Sequence, residues 1–164
     1  MIVVADAGPL IVFGRSGHLG LLRQVVSEVV VSKAVFEECT VETHKPGAIA
    51  LKNAAQDGII TVHEIVSEKT LHASADMLDI GERSALALAM HLQCPVLMDE
   101  RIGRSVAQIN QIPVIGSLGM LVLAKQRGLI EKIAPVLGDW QTYGYFISSE
   151  LKARALELAG EKVS

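Results

Sequence analysis

The chain has 164 residues, half of them apolar and a fifth charged, which suits one globular domain spanning 1–164 and excludes a disordered chain. It holds only three Phe, two Tyr and one Trp, so its core is built from Val, Ile, Leu and Ala, and an RNA-stacking sheet of exposed aromatics is excluded. The formal net charge of −3 excludes a uniformly basic nucleic-acid coat but leaves room for a basic rim around an acidic centre.

The first of five β-branched runs, Ile2–Ala5, is nearly all apolar and reads as a central strand covered on both faces. No cationic segment precedes it and Asp6 interrupts it, so a signal peptide is not expected. Asp6 stands before Gly8-Pro9, where a lone Asp serves as a cap or turn residue. Gly14-Arg15-Ser16-Gly17 spells a GXXG clamp by its letters, and a loop before a helix explains it equally. Leu19, Leu22, Val25 and Val26 then make one short helical face.

Glu28–Val31 is the second strand, and Ser32 caps a helix running through Val35 and Cys39 that carries Glu37 and Glu38. A helix over Ala48–Gln56 precedes the third strand, Ile59–His63. Asp79-Ile80-Gly81-Glu82 has the pattern of a capping box opening the helix Glu82–Leu92, with Pro95 beyond its end. Val96–Met98 is the fourth strand, followed by Asp99, Glu100 and the helix Arg101–Ile109. Val114–Ile115 is the fifth strand; its apolar character places it, like the first and fourth, among the central strands.

The helix Ser117–Gln126 stops at Gly128. Its Leu118, Met120, Leu121 and Leu123 are core or, on the sharper reading, a homodimer face. A terminal amphipathic helix, Glu150–Leu158, closes at Gly160. The longest apolar stretch, Val114–Ala124, is too short to span a bilayer. Cys39 and Cys94 are too far apart for a zinc motif and read as small buried hydrophobes of a reducing, cytoplasmic compartment.

Strands alternating with helices imply βαβ units and a mostly parallel sheet, whose ligands bind beyond the carboxyl ends of the strands. Asp6 and Asp99 follow the first and fourth strands directly. With a strand order of 3-2-1-4-5 these strands are neighbours, and the two carboxylates face each other across the crevice. Like charges so placed repel, and a divalent cation relieves the repulsion. Glu82, in the first turn of its helix, aims at the same edge while also completing a cap. Glu37 and Glu38 are further candidates, each also explained as a solvated surface residue. Mg²⁺ and Mn²⁺ favour such hard oxygen ligands and would activate water toward a phosphodiester. The histidines, His18, His44, His63, His72 and His91, have no ligand spacing.

Six ordered blocks resemble the DUF3368 branch of the PIN-domain family. They are VVADAGPLIVFGRSGHLGLL, VVVSKAVFEEC, LDIGERSALALA, VLMDERIGRSVA, IPVIGSLGMLVLAKQRGLI and SSELKARALELAGE. The resemblance implies a three-layer α/β/α fold around a five-stranded sheet. It implies Asp6, Glu38, Glu82 and Asp99 as the acids of a Mg²⁺- or Mn²⁺-dependent ribonuclease; Glu37 and Glu100, beside two of these, are candidate accessory acids. Arg104 stands where the family usually has Arg; it, and with it Arg101, would contact phosphate, and a solvated helix face explains each equally. Such proteins are often toxins of type II toxin–antitoxin pairs, dimeric and silenced by an antitoxin protein. Ala7, Ile80 and Glu100 depart from the residues common at their places, and none of them removes a primary acid.

Lys33, Arg15 and Arg23 are candidates for the rest of a basic rim. The rival reading is a catalytically weak or inactive module that docks RNA or a protein partner. A phosphotransferase with paired Asp residues is disfavoured by Asp6-Ala7-Gly8, and no G-x-G-x-x-G or Walker A motif follows the first strand.

Overall fold

The computed structural model describes residues 1–64 and 67–163. Five strands, β1 (Ile2–Ala5), β2 (Glu28–Ser32), β3 (Ile60–His63), β4 (Val96–Leu97) and β5 (Val114–Ile115), form one sheet. Its order is β3-β2-β1-β4-β5, as expected, and every pairing is parallel. Parallel neighbours need crossovers that return over a sheet face, so both faces become covered by helices. Val3, Val4 and Ala5 of β1 and Val29, Val30 and Val31 of β2 are accordingly buried. One expectation fails here: β5 is an edge strand, only half-buried. A run of two residues carries too little pattern to separate a central strand from an edge.

The described helices are α1 (Ala7–Arg15), α2 (Leu19–Val25), α3 (Lys33–Thr40), α4 (Pro46–Gln56), α5 (Ile80–Leu92), α6 (Arg101–Ile109), α7 (Ser117–Gln126), α8 (Ala134–Thr142) and α9 (Ser149–Leu158), with a 3-10 turn at Ala73–Met77. Helix α1 is absent from the sequence reading because Gly8-Pro9 looks like a turn. Pro9 instead lies in the first helical turn, where a missing N–H leaves no bond unmade. Helix α8, which also carries Pro in its first turn, is absent from the sequence reading for the same reason.

The core is one continuous apolar cluster running from β1 to α9. Trp140 of α8 is fully buried, edge-on to Phe13 with centroids 5.0 Å apart and to Tyr145 at 5.4 Å. Its indole N–H donates to Ser16 Oγ at 3.1 Å. Met120 and Leu121 of α7 are sealed inside this core, where α7 packs against α2 and α9. Both cysteines are free thiols, and burial pushes Cys39 up to about 12, far from a reactive thiolate. No helix among the described residues is long and apolar enough to cross a membrane.

A candidate acidic active site

At the carboxyl ends of β1 and β4 lies an open cleft of about 1010 Å³. The β1–β4 ladder builds its floor. Ala5 is paired with Leu97, and the Asp6 N–H donates to the Leu97 carbonyl at 2.9 Å. The chain leaves both strands straight into helices, so Asp6 and Asp99 emerge side by side. Asp6, Glu38, Asp79, Glu82, Asp99 and Glu100 all line the cleft, and Arg104 is the single Lys or Arg among its described lining residues.

Asp6 is buried, only 6 % exposed, at the N-cap of α1, yet its side chain makes no capping hydrogen bond. Burial pushes its carboxyl up to about 7; the neighbouring Ala7 N–H offsets part of this, and the charges of Glu82, Asp79 and Glu38 add to it. Asp99 is held more firmly. Its Oδ1 accepts from the Ser117 N–H at 2.7 Å and its Oδ2 from the Ser117 hydroxyl at 2.6 Å.

Glu38 projects from α3 against the first turn of α5. Gly81 leaves the space it occupies, since a Cβ there would stand 2.6 Å from Glu38 Oε2. Burial and then the charge of Asp79 raise its carboxyl above the usual range. Glu37, its neighbour on α3, does not line the cleft, so of the two it is Glu38 that meets the other acids. Glu82 keeps both roles read for it. Its N–H donates to Asp79 Oδ1 at 2.8 Å in a complete capping box, and its carboxylate lines the cleft. Burial and then Asp79 raise its carboxyl too.

Glu100 caps α6, accepting from the Gly103 N–H at 2.7 Å, and reaches the rim. Arg104 Nη1 donates to the Met98 carbonyl at 3.0 Å, which fixes the guanidinium beside Gly116 and the site. Arg101 is exposed and lies outside the cleft lining. So do Arg23, which donates to the Val26 carbonyl at 3.2 Å, and the exposed Lys33. Arg15 instead stacks over Tyr143, 4.9 Å from its centroid, at a smaller adjoining cleft.

Three lining residues escaped sequence reading as site residues. Asp79 has the sequence pattern of a cap alone, yet it also lines the cleft. The Tyr145 phenol, pushed up first by burial and then by the Asp99 charge, stands against Asp99 and Ser117. Phe146 projects from the same segment. The last two belong to a loop whose path to the site has no local sequence signal.

The donor chemistry suits Mg²⁺ or Mn²⁺: every candidate ligand is a carboxylate oxygen, and the cleft concentrates negative charge. No three Asp, Glu, His or Cys side chains among the described residues converge closely enough to hold a metal by themselves. Waters would therefore complete the coordination, as Mg²⁺ commonly requires.

No curated protein matches this chain. A family model described as DUF3368, PIN domain, matches residues 2–161, nearly the whole length. PIN domains are generally nucleases and typically use divalent metal ions. With the parallel sheet of order 3-2-1-4-5 and the acids at its carboxyl edge, the chain belongs to the DUF3368 family of PIN domains.

Proposed function

We propose that this protein is a Mg²⁺- or Mn²⁺-dependent endoribonuclease that hydrolyses phosphodiester bonds of single-stranded RNA. The observation that carries the reading is the convergence of Asp6, Glu38, Glu82 and Asp99, from four separate elements, on one cleft beside Arg104. Asp6 and Asp99 are the central ligands, and Glu38 and Glu82 hold metal or its waters. The metal, when bound, activates water and offsets charge at the reacting phosphate. Ser117 orients the Asp99 carboxylate. Arg104, pinned to the Met98 carbonyl, presents its free N–H groups to phosphate. Glu100 and Asp79 tighten the helix starts that frame the site.

The chain acts as one domain, in the cytoplasm, as the toxin of a type II toxin–antitoxin pair. An acidic cleft attracts a basic segment of an antitoxin protein, and the toxin is a homodimer. Any dimer contact on α7 falls to the half-buried Leu118 and Leu123, not to Met120 and Leu121. A second reading is a non-catalytic module docking RNA or a protein. It is favoured by the absence, among the described residues, of a three-ligand metal cluster.

The deciding experiment is cleavage of a mixed single-stranded RNA pool with Mg²⁺ or Mn²⁺, using the unaltered chain and Asp99→Asn purified identically. Cutting that disappears with EDTA and in the variant supports the ribonuclease. Equal cutting by both overturns the site assignment. No cutting, with no metal binding by calorimetry, supports the docking module.

A further inference from the structure

We propose that Phe146 is a base-stacking platform that receives the face of one unpaired nucleobase of the RNA lying in the acidic cleft; this rests on the ribonuclease reading above. Phe146 is 88 % exposed, whereas Phe13 and Trp140 are sealed in the core. It stands between α8 and α9 and lines the same cleft as Asp99 and Arg104. Its neighbours are committed inward. The Tyr145 N–H donates to the Trp140 carbonyl at 2.9 Å, the Tyr145 ring packs edge-on to Trp140, and Ile147 is buried. Ser148 then caps α9 through the Leu151 N–H at 3.1 Å. Clamped on both sides, the segment presents the Phe146 ring outward from a backbone already fixed in place.

The electrostatics of the cleft give this ring a purpose. Six carboxylates and one guanidinium line it, so phosphate contacts alone hold RNA weakly. Stacking on an aromatic face is indifferent to phosphate charge and accepts any base. It also requires an unpaired base, which selects single strands over duplex.

The test is a titration of a 2-aminopurine-bearing oligoribonucleotide with the full chain in Mg²⁺, in an Asp99→Asn background so that the probe stays intact. Phe146→Leu and Phe146→Trp are compared with Phe146. Leucine retains an apolar surface and loses the π face, and the position is too exposed for either change to threaten folding. The expected result is quenched probe fluorescence with Phe146. Phe146→Leu should bind about 5- to 150-fold more weakly and lose the quenching. Phe146→Trp should restore both, with the same dependence on salt throughout. Equal binding and quenching with Phe146→Leu overturn the platform while leaving the ribonuclease intact. A change of oligomeric state by light scattering in Phe146→Leu also overturns it, assigning the ring to a protein interface. No RNA binding with Phe146 in place, by the Asp99→Asn chain and by the unaltered chain alike, overturns both readings. Quenching that depends on Phe146, in a chain whose native form never cuts RNA, supports the platform and overturns the nuclease.

Discussion

Ser117 grips both oxygens of Asp99, one through its backbone N–H at 2.7 Å and the other through its hydroxyl at 2.6 Å. The grip spans 18 positions of sequence and joins the end of β4 to the start of α7. Ser117 is fully buried, so alanine fits in its place without a clash. Ser117→Ala keeps the N–H contact and loses the hydroxyl, leaving one Asp99 oxygen free to turn. Partners of this kind are worth about 10–100-fold in metal affinity or activity. The expected outcome is a loss of that size in Mg²⁺ affinity by calorimetry and in RNA cleavage. Urea unfolding should show a cost of about 1–3 kcal/mol.

Asp6 sets a pH dependence of stability. Its carboxyl ionises near pH 7 in the folded chain, against an ordinary 3.8. The folded state therefore keeps a proton that the unfolded chain has already lost. The stabilising contribution is full below about pH 4, declines as pH rises, and is gone above about pH 7. At about 1.4 kcal/mol per unit, the span is about 4 kcal/mol. In EDTA, Asp6→Asn should flatten this decline and raise the urea midpoint at pH 8 above that of the unaltered chain. Parallel stability curves for the two proteins between pH 4 and 8 would count against a buried, unneutralised Asp6.

Two glycines should separate function from folding. A Cβ on Gly81 meets only the movable end of Glu38 at 2.6 Å, together with ordinary contacts to Asp79 and Val35. Gly81→Ala should displace the Glu38 carboxylate while leaving stability unchanged or raised by about 0.4–1 kcal/mol. RNA cleavage should fall about tenfold or more, in the range seen when a site carboxylate is disturbed. A Cβ on Gly103 instead meets the sulfur of fully buried Met98 at 2.5 Å. Gly103→Ala should cost about 1–3 kcal/mol by thermal or urea unfolding.

Arg104 should be intolerant of lysine. Its Nη1 is spent on the Met98 carbonyl, so phosphate must be met by the remaining N–H groups of the same planar fork. Arg104→Lys is expected to lose most of the cleavage that Arg104→Ala loses. Both should weaken RNA binding, and Arg104→Ala, which alone removes the charge, should reduce its salt dependence by about one phosphate contact. Arg101→Ala, outside the cleft lining, should leave cleavage within about twofold.

Much of this was legible because the chemistry sits where strands end. Asp6 and Asp99 each follow an apolar run, and the parallel order that makes them neighbours comes from strand–helix alternation. The capping box at Asp79–Glu82 was equally plain, since its bonds close within four residues. What escaped was set by distant contacts. Pro9 reads as a turn until the helix behind Asp6 is seen to need no N–H there. Tyr145 and Phe146 reach the cleft only because Trp140 anchors their loop against Phe13, and no local pattern encodes that path. Glu37 and Glu38 differ by 100° around α3, which separated them only once the facing first turn of α5 was placed.

The β1–β4 pairing also has a temporal meaning. Ala5 pairs with Leu97, 92 positions later, so Asp6 is made well before the strand that brings Asp99 beside it. Chain growth is vectorial, at about 5–20 residues per second. For the several seconds that separate Ala5 from Leu97, a nascent chain carries Asp6, Glu38 and Glu82 but no assembled acidic centre. An enzyme that cuts RNA would be harmless to the message and ribosome producing it until β4 had been made and paired.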